Sequence, residues 1–129
     1  MRRPSRIWLA AAAAAISLCV MAAGAPGSLA KATKPKVAKL CGYYFTPVTL
    51  KVRKGGKVRW KWANCGTPDN HDVVLKKGPK GVDKRKFRSQ IAAAPSSYTF
   101  TKRFKKPGKY NFICSLHPTQ MQMTVRVRR

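Results

Sequence analysis

Glutamate is absent from this chain, and aspartate occurs three times, as Asp69, Asp72 and Asp83. A hydrolase built on paired carboxylates needs two acids held at a fixed separation, so that chemistry has almost nothing to draw on. Histidine is scarcer still, with His71 and His117 the two occurrences. No internal repeat is visible, which excludes a solenoid. Beyond the first 30 residues no segment carries a helical period with caps, which excludes a helical bundle. Positive charge is what abounds: 28 Lys and Arg give a formal net charge of +25 at pH 7. Such a field selects anionic partners, an acidic protein or an anionic cell-envelope surface among them. It also keeps a chain soluble whatever its partner.

The 129 residues have room for one domain after a removable start. Arg2, Arg3 and Arg6 precede an alanine-rich apolar stretch from Ile7 to Ala25, and Ser28 and Ala30 supply small residues after it. Charged, apolar and small-residue regions in that order predict a signal peptide over 1–30, cleaved near Ala30, with export to the periplasm or beyond the cell. The competing reading is an uncleaved anchor, since a membrane span needs about 20 apolar residues. Arg2-Arg3 lacks the flanking pattern of a twin-arginine signal, and Leu18 before Cys19 is not the small residue that a lipid-anchored cysteine follows. The exported chain keeps 25 cations against three acids, a net +22. Export argues against a nucleic-acid partner.

Residues 31–40, "KATKPKVAKL", are basic and read as a flexible leader. From Cys41 the texture becomes short alternating runs broken by Gly and Pro. "VTLKV" alternates up to the turn at Lys54–Gly56, and "KVRWKW" sets Val58, Trp60 and Trp62 against Lys57, Arg59 and Lys61. "DVVLKK" is a further short strand. "SSYTFTKRF" puts Tyr98, Phe100 and Lys102 on one side. After the "KPGK" turn, "YNFIC" aligns Tyr110, Phe112 and Cys114, and the last run alternates Met121, Met123, Val125 and Val127 against polar residues. "SQIAAAP" has the makings of one helical turn, which Pro95 would stop. The pattern predicts an all-β domain over 41–129, an antiparallel sandwich of about seven to eight strands.

Cys114, His117 and either Met121 or Met123 follow one another at the end of such a strand. Cys114 is in phase with Tyr110 and Phe112, so its thiol points inward, and a loop can fold His117 and a methionine over it. His71, in "TPDNHDVVL", stands at another loop–strand junction. Two imidazoles and a thiolate in a plane, with a weak axial thioether, are what an electron-transfer copper takes. Soft sulfur favours Cu(I), imidazole supports both states, and a rigid β scaffold holds the compromise.

The stretch "PGKYNFICSLHPTQMQMTVRV" resembles the closing segment of the cupredoxins, blue copper proteins of the plastocyanin and amicyanin type. Gly108, Tyr110, Phe112, Cys114, His117 and Met121 fall in that family's order. "NHDVVL" resembles its upstream ligand segment, and "YFTPVTLKVRKGGKVRWKWAN" its opening strands, so the similarity spans about residues 41–129. The resemblance implies a Greek-key sandwich holding one type 1 copper through His71, Cys114, His117 and Met121. The family register places the axial ligand at Met121, not Met123. It further implies a bond from Asp72, where Asn is common, to Ser115, and backbone N–H groups reaching the Cys114 sulfur.

Cys41 and Cys65 are spare thiols in an exported chain, for which a disulfide is the default. A zinc alternative recruits Cys65 with His71, Cys114 and His117 into a closed tetrahedral site, and leaves Cys41 and Met121 unexplained. Function then divides three ways. A monomeric electron carrier would pass electrons through His117, dock through Leu116 and Pro118, and be steered to an acidic redox protein by Lys76, Lys77, Lys80, Lys84, Arg85, Lys86 and Arg88. A copper scavenger or chaperone would share the ligands but would be expected to add Met- or His-rich tracts, which are missing. A charge-driven adhesion protein would not need Cys114, His117 and His71 together. No triad or carboxylate pair supports an enzyme, and no small-molecule substrate is expected.

Overall fold

The computed structural model describes residues 32–66 and 68–129; the stretch read as signal peptide or anchor, 1–30, lies outside them. Ten strands follow in chain order: β1 Lys36–Cys41, β2 Tyr44–Thr46, β3 Thr49–Arg53, β4 Lys57–Trp62, β5 Asp69–His71, β6 Val74–Lys77, β7 Ala92–Ala94, β8 Thr99–Arg103, β9 Gly108–Ile113 and β10 Gln122–Arg128. They form two four-stranded sheets, ordered β2-β1-β4-β8 and β3-β10-β9-β6, with β5 and β7 as a separate pair.

The alternation that forms each strand also decides its buried face. In β4, Val58, Trp60 and Trp62 are buried while Arg59 and Lys61 face water. In β9 and β10 the buried positions are Tyr110, Phe112, Met123, Val125 and Val127. The sheets meet at Trp60, whose ring lies 5.0 Å from that of Phe112 across the interior and 5.5 Å from that of Phe100 beside it. Its indole N–H donates to Met123 Sδ at 3.0 Å, so the largest core residue leaves no unpaired donor. Tyr110 is buried likewise, its hydroxyl donating to the Lys106 carbonyl.

Three expectations change. Residues 31–40 are not all leader: from Lys36 they form β1, with Ala38 and Leu40 fully buried. Lysines at 36 and 39 conceal an inward alternation that only pairing with β4 and β2 reveals. The sandwich is also mixed, not purely antiparallel, because β1 runs parallel to β4 and β3 parallel to β10. The chain leaves the first sheet after β2 and re-enters it at β4, so the strand that returns beside β1 shares its direction. "SQIAAAP" makes no helical turn; Ala92–Ala94 pair antiparallel with β5. A short 3-10 turn at Lys84–Phe87 is capped by Asp83, which accepts from the Arg85 N–H.

Glycine sets two of the turns. Gly55 takes φ +83° between β3 and β4, where its N–H donates to the Phe104 carbonyl. Gly108 opens β9 at φ +136°, and a Cβ there would stand 2.6 Å from Pro79 Cγ.

Cys41 and Cys65 are joined as a disulfide. It ties the end of β1 to the loop between β4 and β5. Closing a loop of sequence separation 24 contributes about 3 kcal/mol. The double variant Cys41→Ala/Cys65→Ala is therefore expected to lose about that much in a denaturant titration. An unchanged midpoint would show that the bridge does not constrain the unfolded chain.

Candidate metal centre

The segment 71–73 is fixed from three sides. Trp62 donates its indole N–H to the His71 carbonyl at 3.0 Å. Val73 and Ser89 exchange two bonds, the Val73 N–H giving to Ser89 Oγ and the Ser89 N–H to the Val73 carbonyl. Asp72, fully buried, accepts from the Ser115 N–H and the Ser115 hydroxyl, each at 2.6 Å. This last link continues the β6–β9 ladder beyond its end at Val74 and Ile113. It carries His71 to the end of the strand that delivers Cys114.

Cys114 follows β9 in phase with Tyr110 and Phe112, its thiol fully buried. The loop after it is stitched to itself. The His117 N–H donates to the Cys114 carbonyl, the Met121 N–H to the His117 carbonyl, and the Cys114 N–H to the Met121 carbonyl. These bonds fold the C-x2-H-x3-M sequence into a compact turn and bury Met121 completely.

The consequence is a cluster. His71, Cys114 and His117 present nitrogen and sulfur atoms all within 4.8 Å of one another. Cys114 Sγ stands 3.9 Å from His71 Nδ1 and 3.7 Å from His117 Nδ1. Bonds of about 2.0 Å to imidazole and about 2.3 Å to thiolate, the lengths zinc takes, separate N and S by about 3.7 Å at a trigonal angle and about 3.5 Å at a tetrahedral one. The observed sulfur–nitrogen spacings lie close to the trigonal value. The donor set is soft sulfur with borderline nitrogen, which suits copper.

Burial dominates the electrostatics of both buried ligands, in opposite senses for the availability of the metal-binding form. Burial, and next the neighbouring His117, hold the His71 imidazole below its ordinary pKa. That direction favours the neutral ring, the form a ligand needs. Burial pushes the Cys114 thiol up, opposed by the backbone N–H groups of Asp72, Leu116 and His117. Asp69 is held below the usual carboxylate range, chiefly by the Asn70 N–H, with smaller contributions from His117 and the Tyr43 hydroxyl.

The two methionines are separated by their partners. Met123 Sδ is taken by the Trp60 indole inside the sandwich, whereas Met121 is buried at the end of the ligand loop. The tetrahedral zinc alternative fails, because Cys65 is bonded to Cys41 and leaves Cys114 as the free cysteine among the described residues.

Of the docking residues read from sequence, Leu116 and Pro118 flank His117 on the surface, Leu116 at 46% exposure. Lys76 and Lys77 are exposed on β6, and Lys80, Lys84, Arg85, Lys86 and Arg88 follow them through the 3-10 turn. β6 runs away from its His71 end, so this charge spreads down the sandwich and is not concentrated on the ligand loop.

Sequence reasoning missed four residues of the site. Trp62 and Ser89 hold the His71 segment by bonds with no local motif. Asp69 and Tyr43 meet His117 from outside: His117 Nε2 lies 3.3 Å from Asp69 Oδ2, and the Tyr43 ring stands edge-on at 4.8 Å.

A family model described as copper binding proteins, plastocyanin/azurin family, matches residues 33–128. Amicyanin-alpha of Methylorubrum extorquens is 32% identical over 117 residues, covering 85% of this chain and 90% of that protein. The crystal structure of amicyanin from Paracoccus versutus superposes with a TM-score of 0.59 at 24% identity, over 75% of this chain and 84% of that one. A copper-containing nitrite reductase from Thermus scotoductus gives a TM-score of 0.62 at 26% identity, covering 82% of this chain. The chain spans only 25% of that reductase's length.

Proposed function

This chain belongs to the plastocyanin/azurin family of copper-binding proteins, and from that premise we propose that it is an exported carrier of single electrons, with His71, Cys114, His117 and Met121 as the copper ligands. The observation that carries the reading is the cluster of two imidazole Nδ1 atoms standing 3.9 Å and 3.7 Å from one buried thiol. Bound there, copper supplies a one-electron couple between Cu(I) and Cu(II).

The chain's own residues do the rest. The β6–β9 ladder and the Asp72–Ser115 link set His71 against Cys114, and the self-bonded loop sets His117 and Met121. Ligands fixed by packing cannot relax to suit either oxidation state, which keeps reorganisation small when the charge changes. Complete burial of His71, Cys114 and Met121 excludes water from three sides. His117, its side chain 19% exposed, is the ligand nearest solvent and the way out for an electron. Leu116 and Pro118 beside it offer a small apolar docking face.

A carrier fits better than an enzyme. Each of the three carboxylates is already engaged: Asp69 with His117 and Asn70, Asp72 with Ser115, Asp83 with Arg85. No pair is left for acid–base work. The partner proposed is an acidic redox protein, drawn by the Lys76–Arg88 cluster. Rim charges of this kind act mainly on association rate. The disulfide favours an oxidising compartment and supports export.

The test is a visible spectrum of purified protein titrated with Cu(II) and then reduced. An intense blue thiolate-to-copper band, saturating at one equivalent and bleached by reductant, is expected. A protein that retains zinc and shows no band would overturn the reading.

A further inference from the structure

The two histidines of the cluster differ at their outer nitrogens. His71 Nε2 is buried with no hydrogen-bond partner. His117 Nε2 faces Asp69 Oδ2 at 3.3 Å. Asp69 opens β5, two residues before His71, so the strand that supplies one ligand also supplies an acceptor for the other. Its Oδ1 accepts from the Asn70 N–H at 2.7 Å, which turns Oδ2 toward the imidazole. Tyr43, from the turn between β1 and β2, stands edge-on to the same ring at 4.8 Å. The Cys41–Cys65 disulfide joins the segments that carry Tyr43 and Asp69. In a chain with three carboxylates against 28 cations, an acid aimed at a ligand is not accounted for by surface composition.

We propose that Asp69 is a positioning residue for the copper site, holding His117 from its outer nitrogen and lowering the reduction potential. The inference rests on the copper reading above. His117 Nδ1 faces the Cys114 sulfur; with Nδ1 given to a metal, the ring's one proton sits on Nε2 and is donated outward. A carboxylate accepting that proton fixes the ring's rotation and makes the imidazole a stronger donor. A stronger donor favours Cu(II) over Cu(I), so the potential falls.

The experiment is a redox titration of the copper-loaded protein and of two variants. Asp69→Asn keeps the shape and removes the charged acceptor. Asp83→Asn removes an equal charge at the 3-10 turn. Loss of an outer partner costs about tenfold in metal affinity; falling on Cu(II), the state the stronger donor favours, that loss raises the potential of the one-electron couple by about 59 mV. Asp83→Asn is expected to shift far less. Equal potentials for the two variants would overturn the proposal and reduce Asp69 to one charge among many. Both variants keep all four ligands, so both should stay blue. A blue wild type with no Asp69 effect sinks this inference alone, while a colourless wild type sinks the copper reading. An independent check needs no variant: in the Cu(I) protein the His117 Nε2–H should be visible by NMR and slow to exchange with water. A freely exchanging proton there would equally overturn the proposal.

Discussion

Cys114→Ser is expected to abolish the blue absorption completely while leaving a folded chain. The band requires electron density to move from a thiolate to Cu(II), and a serine hydroxyl is neither ionised at neutral pH nor soft enough to replace it. The fold should survive because Cys114 follows β9 and is not an interior member of a ladder. Burying a hydroxyl in place of a thiol costs about 1–3 kcal/mol, and the amides of Asp72, Leu116 and His117 around that position offset part of it. His71→Ala should remove the band as well, for a different reason. It deletes a wholly buried ring and opens the cation's coordination to water. Parallel Cu(II) titrations and metal-free thermal melts separate the effects. Loss of colour with a cooperative melt supports the ligand assignment. Full colour in His71→Ala would remove His71 from it.

Much of this site was legible because its signals are local. The run from Tyr110 to Cys114 alternates cleanly, so the inward thiol followed from the strand, and His117 and Met121 lie within seven residues of it. The alternation in "KVRWKW" placed Trp60 and Trp62 in the core, where they are. What was not legible depends on contacts between distant segments. Strand β1 hides behind its lysines until β4 pairs with it in parallel, and a parallel register leaves no mark in a single segment. The alanines at 92–94 favour a helix alone, but β5 offers them a ladder and tertiary pairing wins. Met121 and Met123 share a face in the alternating run. Alternation does not separate them; the family register points to Met121, and the Trp60 indole, 63 positions away, takes the Met123 sulfur. Tyr43 reaches His117 across 74 positions, and nothing near "CGYY" announces it.

Asp72→Ala is expected to weaken copper binding by about 10–100-fold and to lower stability by about 2 kcal/mol. The carboxylate makes two short bonds to Ser115, and charge-assisted bonds of this sort are stronger than neutral ones. Their loss is only partly compensated. Ser115 is exposed, so its freed donors can turn to water, and removing a buried charge relieves a desolvation cost. The larger consequence is geometric. Without the link, the backbone between β5 and β6 keeps its bonds to Trp62 and Ser89 and the ladders on either side, but nothing ties it directly to the residue after Cys114, and the distance from His71 Nδ1 to Cys114 Sγ is less firmly fixed. Asp72→Asn separates geometry from charge. Its amide oxygen can still accept the Ser115 N–H, and the hydroxyl can reverse to accept from the amide nitrogen. This variant should therefore keep most of the affinity. Copper affinity and denaturant midpoints for the two variants decide the matter. Equal losses in both would mean that the negative charge, not the link, makes Asp72 matter. A loss confined to alanine would identify the Asp72–Ser115 bonds as the part of the fold that turns two strand ends into one metal site.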